Sequence, residues 1–333
     1  MNKTSRTFFK TMMIGASFCA LTALTGCSKG NDENKVLIYT SAEDYRVEDL
    51  KKVLTEQFPD YDITIDYRNT GSHAASLLAE GADTEADITF DLEYPYLNEL
   101  EEAGAFADLS EYDTSDYVDD GIVSDYYLPE CRNGGAIIVN REVLEEKGLD
   151  VPTSYEDLLK PEYKGLISMP NPKSSGTGYM FLKALVNEMG EDEAFEYFDK
   201  LNDNILSYTS SGSGPVTALK NKEAAIGLGM TSQAVYAINE GAPLDILFFE
   251  DGSPYSLYGQ AIIKGKETKK AVKDVFDYMI TDYSKRIVEQ FYPEPIFKDM
   301  DVDVKNYPSN IKYADMSNNT PDEKDRLLEK WKY

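Results

Sequence analysis

The sequence repeats one kind of junction. Asn69-Thr70-Gly71-Ser72, Ser174-Ser175-Gly176-Thr177-Gly178 and Ser210-Ser211-Gly212-Ser213-Gly214 each set small hydroxyl residues and glycine between a strand-like run and a helical pattern. Thr40-Ser41-Ala42 and Thr231-Ser232 follow apolar runs in the same way. Glycine lets a backbone approach a ligand or take positive φ. Serine and threonine cap helices and donate from their hydroxyls. The first N–H groups of a helix lack intrahelical partners, and the macrodipole favours negative charge there. One such junction is an ordinary N-cap. Several at corresponding strand ends, facing one cleft, would bind an anion, an oxyanion above all, with no bond made or broken.

Residues that carry catalysis are sparse. A Ser-His-Asp triad would have to use His73, the one histidine, and no G-x-S-x-G elbow occurs. There is no H-E-x-x-H and no cysteine cluster, so a zinc site is not expected. Asp299-Met300-Asp301-Val302-Asp303 opens like an EF-hand, but Val304 stands where glycine is needed and Asn310 where glutamate is needed. Phosphate-loop and dinucleotide fingerprints are absent. Carboxylate pairs carry little information in a chain with 60 Asp and Glu, where a solvated surface is their ordinary meaning. The expectation is a binder, not an enzyme, with no cofactor; a surface hydrolase is the remote alternative.

Positioning these junctions takes a large scaffold. The chain has 333 residues, more than one compact core usually holds, so two lobes are expected. The formal charge of −27 repels nucleic acid and anionic membrane, so no nucleic-acid partner is expected. Lys3, Arg6 and Lys10 precede an apolar run, residues 12–24, too short to span a bilayer. Its end, Leu24-Thr25-Gly26-Cys27, resembles the lipobox of bacterial lipoproteins, in which the cysteine is lipidated. Residues 1–26 then form a signal peptide and residues 27–34 a lipidated polar tether. Removing that signal takes away Lys3, Arg6 and Lys10 and no acidic residue, leaving about −30. Cys19 leaves with it and Cys27 carries lipid, so Cys131 has no disulfide partner and is expected as a small buried residue. The expected location is exported: the outer face of the cytoplasmic membrane or the periplasm.

Strand-like runs alternate with helical patterns. Strands are expected at 35–40, 62–68 and 86–90, with helices at 47–57, 72–80 and 94–103. A second set has strands at 136–140, 166–169, 206–209, 224–228, 244–249 and 257–263. Its helices are expected at 177–189, 192–201, 266–280 and 284–291, with a last one near 322–331. This is an α/β protein with mainly parallel sheets and a ligand cleft at strand carboxyl ends.

Several blocks resemble one family. VLIYTSAEDY, TGSHAASLLAEGADTEADITFDLE, VPTSYEDLLKPEYKGLISMPNPKSSGTGY, SYTSSGSGPVTALKNKEAAIGLGM and AIIKGKETKKAVKDVFDYMI are similar, in order, to substrate-binding lipoproteins of bacterial ABC importers, in the group that carries ferric ion, phosphonates and phosphorylated small molecules. The likeness covers residues 35–291. It implies a two-lobed type II periplasmic-binding-protein fold with hinge strands, a small-molecule ligand and a membrane permease as partner. Lobe 1 would comprise residues 35–135 and 255–291, lobe 2 residues 136–254, with residues 292–333 a helical tail on both; a monomer is expected. Ferric binders of the family present adjacent tyrosines after a second-lobe strand, but here Gly229 to Tyr236 holds no such pair. The departure favours an anion, a phosphonate such as 2-aminoethylphosphonate or a phosphorylated compound, over ferric ion.

The ligand set implied is Thr40, Ser41, Gly71, Ser72, Asp91, Glu93, Arg132, Ser174, Ser175, Gly176, Thr177, Ser211, Gly212, Ser213, Thr231 and Tyr255. Asp91 and Glu93 would hold an ammonium group, and Arg132, with Arg46 as a second choice, a charged clamp. If the ligand is iron, Tyr236, Tyr255 and Tyr258 are its candidates. His73 is expected in a solvated first helical turn.

Overall fold

Val36 and Ile38 face one core while Leu37 and Tyr39 pack against another, so β1 (Lys35–Thr40) is covered on both faces. That period of two in an apolar run makes an interior strand. The computed structural model describes residues 33–118, 124–291, 296–300 and 302–333. The expected signal peptide, Cys27 and most of the tether lie outside these. Among the described residues no helix is long and apolar enough to cross a membrane.

The first half of the chain runs β1, α1 (Asp44–Gln57), β2 (Asp62–Tyr67), α2 (Thr70–Glu80), β3 (Ile88–Glu93) and α3 (Tyr94–Glu102). There follow β4 (Leu128–Asn140), α4 (Arg141–Lys147), β5 (Ile167–Pro170), α5 (Gly176–Met189), α6 (Glu191–Leu201) and β6 (Ile205–Thr209). Then come α7 (Gly214–Lys220), β7 (Ile226–Met230), α8 (Thr231–Asn239) and β8 (Leu244–Leu247). β9 (Tyr255–Ile262), α9 (Lys270–Tyr278), α10 (Ser284–Gln290) and α11 (Pro321–Lys330) complete the order. The strands pair as β2-β1-β3-β9-β4-β7-β5-β6, with β8 also on β4.

The sheet is mixed. β1 is parallel to β2 and β3, and β5 is parallel to β6 and β7. β4 and β9 run antiparallel to their neighbours, which corrects the expectation of mainly parallel sheets. β4 changes partners along its length. Leu128 to Gly134 pair with β9, and Gly135 to Val139 pair with β7. The expected strand began only at residue 136, because Pro129, Glu130, Arg132, Asn133 and two glycines read as a loop. Those glycines are needed for close packing. A Cβ on Gly135 would lie 2.9 Å from the Phe181 ring and from Pro254, and one on Gly134 would lie 3.2 Å from the Tyr313 ring.

Alternation continues past that switch. Ile137 and Val139 join the core with Met169, Phe181 and Leu228, while Ala136 and Ile138 face Val216, Leu219 and Ala234. Each fully buried aliphatic or aromatic side chain contributes about 1.5–3 kcal/mol relative to exposure. The C-terminal segment returns to this core: Leu327 and Trp331 are buried, with the Trp331 ring edge-on to Phe198 at 5.1 Å. One turn earlier on α11, Lys324 donates to Glu99 of α3 at 2.9 Å and lies 3.5 Å from the Tyr96 ring centre. α4, capped by the Asn140 side chain on the Val143 N–H at 3.2 Å, had no counterpart among the expected elements.

Candidate functional site

The carboxyl ends of β1, β2 and β3 meet the starts of α5, α7 and α8 around a small cavity. Ser41, Glu43, Tyr67, Thr70, Asp91 and Tyr258 line it from one side. Thr177, Ser211, Gly212, Ser213 and Met230 line it from the other. Its free volume is about 20 Å³, close to that of one water position. An outer cavity of about 260 Å³ shares Glu43 and Ser213 with it and adds Asp44, Glu48, Lys220 and Tyr236.

The two sides touch directly. The Gly71 N–H donates to the Ser174 carbonyl at 3.2 Å, and Tyr45 stacks on Tyr236 with centroids 4.2 Å apart. A Cβ on Gly71 would fall 2.9 Å from the Lys173 carbonyl oxygen, so this approach needs glycine. A ligand larger than a few atoms therefore requires these contacts to part.

Beneath the cavity lies a buried charge cluster. Arg46, 0% exposed, donates to Glu43 at 3.1 Å, to Asp91 at 2.7 Å and to Glu130. Its guanidinium also lies 5.8 Å from the Phe90 ring centre, and Tyr283 donates to its carbonyl oxygen at 3.1 Å. Asp91 has φ 56°, an uncommon backbone for this residue, and its carbonyl accepts the Ser41 hydroxyl at 2.6 Å. Burial pushes the Asp91 carboxyl up to about 7 against the pull of Arg46, and burial likewise raises that of Glu43. Asp91, Glu130 and Cys131 bring donor atoms within 4.8 Å of one another, but Arg46 binds both carboxylates, so the cluster's cation is the guanidinium.

A family model described as bacterial extracellular solute-binding protein matches residues 86–322. The chain belongs to this family. An uncharacterized protein of Haemophilus influenzae is 29% identical over 82% of this chain and 81% of its own length. The spermidine/putrescine-binding periplasmic protein of Escherichia coli is 24% identical over 52% of this chain and 50% of its own. Among solved structures, AfuA of Actinobacillus pleuropneumoniae with fructose-6-phosphate bound is similar at TM-score 0.79 and 23% identity, covering 89% of this chain and 97% of that one. Iron-bound HitA of Pseudomonas aeruginosa is similar at TM-score 0.73 and 19% identity, covering 89% and 98%. The fold is thus the two-lobed periplasmic-binding-protein type. This solute-binding protein serves an ABC importer, has a small-molecule ligand and a permease partner, and acts outside the cytoplasm.

The structure brings Ser41, Asp91, Thr177, Ser211, Gly212 and Ser213 of the expected set to the cavity wall. Thr40 is buried behind it, its hydroxyl accepting the Ala42 N–H at 3.1 Å. Gly71 and Ser72, expected to offer free N–H groups, use them within the chain: Gly71 on Ser174, and Ser72 on the Asn69 side chain at 2.9 Å. Ser174 and Ser175 direct their N–H groups to the Asn171 carbonyl, and the Ser175 hydroxyl accepts from Gly178 at 3.4 Å. Gly176 abuts Glu93, whose Oε2 lies 2.3 Å from where its Cβ would be. The start of α5 thus faces a carboxylate of the chain itself. Arg132 lies over the Tyr255 ring at 5.6 Å, Tyr255 packs against Tyr313, and Thr231 is fully buried; none of the three lines the cavity.

Of the iron candidates, Tyr258 lines the inner cavity and Tyr236 the outer one, while Tyr255 lines neither. His73 is not solvated. It is wholly buried, its Nε2 2.9 Å from the Thr89 hydroxyl, and burial holds it down to about 3, so it is neutral. Cys131 is buried on β4. Glu43, Tyr67, Thr70 and Met230 were not anticipated. Glu43 lies in the same post-β1 segment as Ser41, so its position was readable from the sequence. Tyr67 depends on how β2 is oriented, which no motif announces, whereas Thr70 belongs to the Asn69-Thr70-Gly71-Ser72 junction.

Gly212 tests this geometry. A Cβ there would lie 2.2 Å from the Thr177 hydroxyl oxygen and 3.0 Å from its Cβ. Gly212→Ala is expected to displace Thr177 and weaken ligand binding about tenfold, with far-ultraviolet circular dichroism unchanged. Undiminished affinity in that variant would remove Thr177 from the site.

Proposed function

We propose that this binding protein captures a small zwitterion, with an ammonium group against Glu43 and Asp91 and an oxyanion on the hydroxyls of Thr177, Ser211 and Ser213. An aminoalkylphosphonate such as 2-aminoethylphosphonate has this form; a phosphorylated amine is the nearest alternative. The observation that carries the reading is the uneven charge of one cavity: both its carboxylates, Glu43 and Asp91, lie on the side that also carries Ser41, Tyr67, Thr70 and Tyr258, while the side of Thr177, Ser211 and Ser213 offers hydroxyls and no acid. A carboxylate wall disfavours a plain anion, and a hydroxyl wall leaves a plain diamine without a charged partner at one end. At the outer cavity Glu43, Asp44 and Glu48 outnumber Lys220, which adds attraction for a cationic group at entry.

Lobe 1 would hold residues 35–135 and 255–291 and lobe 2 residues 136–254, with the chain crossing at Gly134-Gly135 and again near Pro254. Closure would bring the zwitterion's two ends into contact with both lobes at once, which favours the closed form by that difference in contacts. Lipidation at Cys27 would keep the protein, as a monomer, at the outer face of the cytoplasmic membrane beside its permease.

The test is a thermal-shift panel on the protein from Ser28 onward, since residues 33–333 form one compact unit. The panel holds 2-aminoethylphosphonate, ethylphosphonate, putrescine, glucose-6-phosphate and ferric citrate. A ligand at a hundred times its Kd stabilises by about 2.7 kcal/mol, a rise of several degrees in Tm. The largest rise is expected with 2-aminoethylphosphonate, and Ser213→Ala should reduce it. A rise with ethylphosphonate or glucose-6-phosphate that equals it would remove the ammonium from the reading. A rise with ferric citrate alone would replace the reading with iron.

A further inference from the structure

The C-terminal segment is fixed along α5 and α6 and reaches across to α3. Asn187 of α5 donates to the carbonyls of Asp315 and Ser317 at 2.9 and 3.0 Å, and the Tyr179 hydroxyl donates to Asn319 at 3.0 Å. Leu327 and Trp331 share a core with Leu185 and Phe198, and Lys173 donates to the Trp331 carbonyl at 2.7 Å. These anchors leave the first turn of α11 between two helices. There Glu323 accepts from Lys183 of α5 at 3.3 Å, while the next residue, Lys324, donates to Glu99 of α3 over the Tyr96 ring. Both lysine side chains are almost wholly buried.

α3 and α5 both begin at the ligand cavity. Thr177, in the first turn of α5, lines it, and α3 follows directly on β3, which carries Asp91 to its wall. In the proposed division of the chain, α3 belongs to lobe 1 and α5 to lobe 2. The two helices must then separate when the cavity opens, and α11 holds to both.

The two holds differ in chemistry. Toward α5 and α6 the contact includes Leu327 and Trp331, and parting it would expose both to water. Toward α3 it is a cation on a carboxylate and a ring. Desolvation offsets part of the attraction of such a pair, and on separation both charges recover their water. The Glu99 side chain keeps 30% of its exposure even when paired. A polar contact of this kind biases two arrangements and still parts, as interfaces between moving domains do.

We infer that Lys324 is a latch: α11 travels with α5 and α6, and Lys324, by gripping Glu99 and Tyr96, sets the balance between closed and open forms and through it the affinity for ligand. It is a positioning residue, since it lines neither the inner nor the outer cavity. The inference rests on the lobe division proposed above and not on the identity of the ligand. Apparent affinity falls in proportion to the population of the binding-competent closed form. Loss of the grip is expected to lower the closed-to-open ratio of the ligand-free protein about tenfold.

The experiment places cysteines at Glu56 on α1 and Glu193 on α6, both exposed, in the protein from Ser28 onward, where Cys131 is buried. Spin labels on the pair report the distance distribution by pulsed electron resonance, without ligand. Lys324→Met and Glu99→Gln should each move population from a shorter to a longer distance. Glu99→Gln leaves the charge of Lys324 in place, so a shift common to both variants comes from the grip on α3. Lys330→Met removes a pair with Glu191 of α6 that does not reach α3, and it should match the unsubstituted protein. Gly71→Leu is a wedge: its Cβ would lie 2.9 Å from the Lys173 carbonyl oxygen, so it forces the two sides apart whatever α11 does. If the wedge lengthens the distance while Lys324→Met and Glu99→Gln do not, the latch is overturned and the lobe division stands. If Lys330→Met opens the protein as much as Lys324→Met, general loosening of α11 is the cause and the latch is again overturned. If the wedge leaves the distance unchanged, the lobe division falls and the inference with it. Should Lys324→Met fail to fold, Glu99→Gln, at a partly exposed position, decides alone.

Discussion

Arg46→Met is expected to lower the unfolding free energy by about 3–5 kcal/mol at pH 8. Arg46 is wholly buried and holds Glu43, Asp91 and Glu130 together. Methionine retains much of the packing against Phe90 but no charge, so three buried carboxylates lose the guanidinium that joins them. Removing one partner from a buried ionic cluster is far more damaging than its net contribution suggests, because the charges left behind have lost their water as well. The pH dependence separates this from a packing defect. In the variant Arg46 no longer opposes the effect of burial on the carboxyls of Asp91 and Glu43, so the folded state binds protons more tightly than the unfolded chain does. Stability of the variant relative to wild type should then recover as pH falls from 8 toward 5. Urea denaturation at both pH values measures this. A deficit of the same size at pH 5 and pH 8 would mean that packing, not charge, is what Arg46 contributes.

The cluster also shows where sequence reading reaches its limit. The strand-to-helix junctions were legible because Gly, Ser and Thr have local reasons to be where they are. Ser175 caps α5 and Asn69 caps α2 through bonds spanning three residues. Thr177, Ser211 and Ser213 were placed at the cavity on that basis, and they line it. Arg46 and Glu130 are 84 positions apart, and nothing local marks either as the other's partner. In a chain this acidic one glutamate among many looks like surface. Glu130 sits in a stretch, LPECRNGG, whose proline and glycines suggest a loop, and it becomes strand only because β9 and β7 pair with it. His73 departs from expectation for the same reason. Its place in the first turn of α2 suggested solvent, but that turn packs under β1 and β3, where Thr89 and Ser41 meet the imidazole.

The junction at α5 was legible in kind but not in occupant. A helix start with glycine at its first positions favours a negative group. That group here is Glu93, brought by β3 onto Gly176. In the proposed mode of binding, the ligand's oxyanion is thereby left to the hydroxyls of Thr177, Ser211 and Ser213. The cradle read from the sequence is one that the protein partly fills with its own side chain.

Glu93→Gln is accordingly expected to stabilise the protein by about 2 kcal/mol at pH 8 and to have little effect at pH 4. Glu93 is 0% exposed, and neither carboxylate oxygen has a hydrogen-bond partner. Burial pushes its carboxyl up to about 7, with Ser256 and Lys324 opposing the shift. In the unfolded chain a glutamate titrates near 4.3. Below that pH both states carry the proton and the charge has no influence on folding. Between about 4.3 and 7 the unfolded chain ionises while the folded one does not, so stability falls by up to about 1.4 kcal/mol per pH unit. Above 7 both are ionised and the loss is complete. The start of α5 offsets part of it, by about 0.5–2 kcal/mol. Desolvation is the larger effect, and glutamine, of nearly the same shape, avoids it. Comparing the variant with wild type across pH cancels the other titrating groups. The difference in Tm should open between pH 4 and 7 in favour of Glu93→Gln and then stay constant. A variant less stable than wild type at pH 8 would show the opposite balance, a carboxylate that the α5 terminus holds ionised and uses to clasp the two lobes.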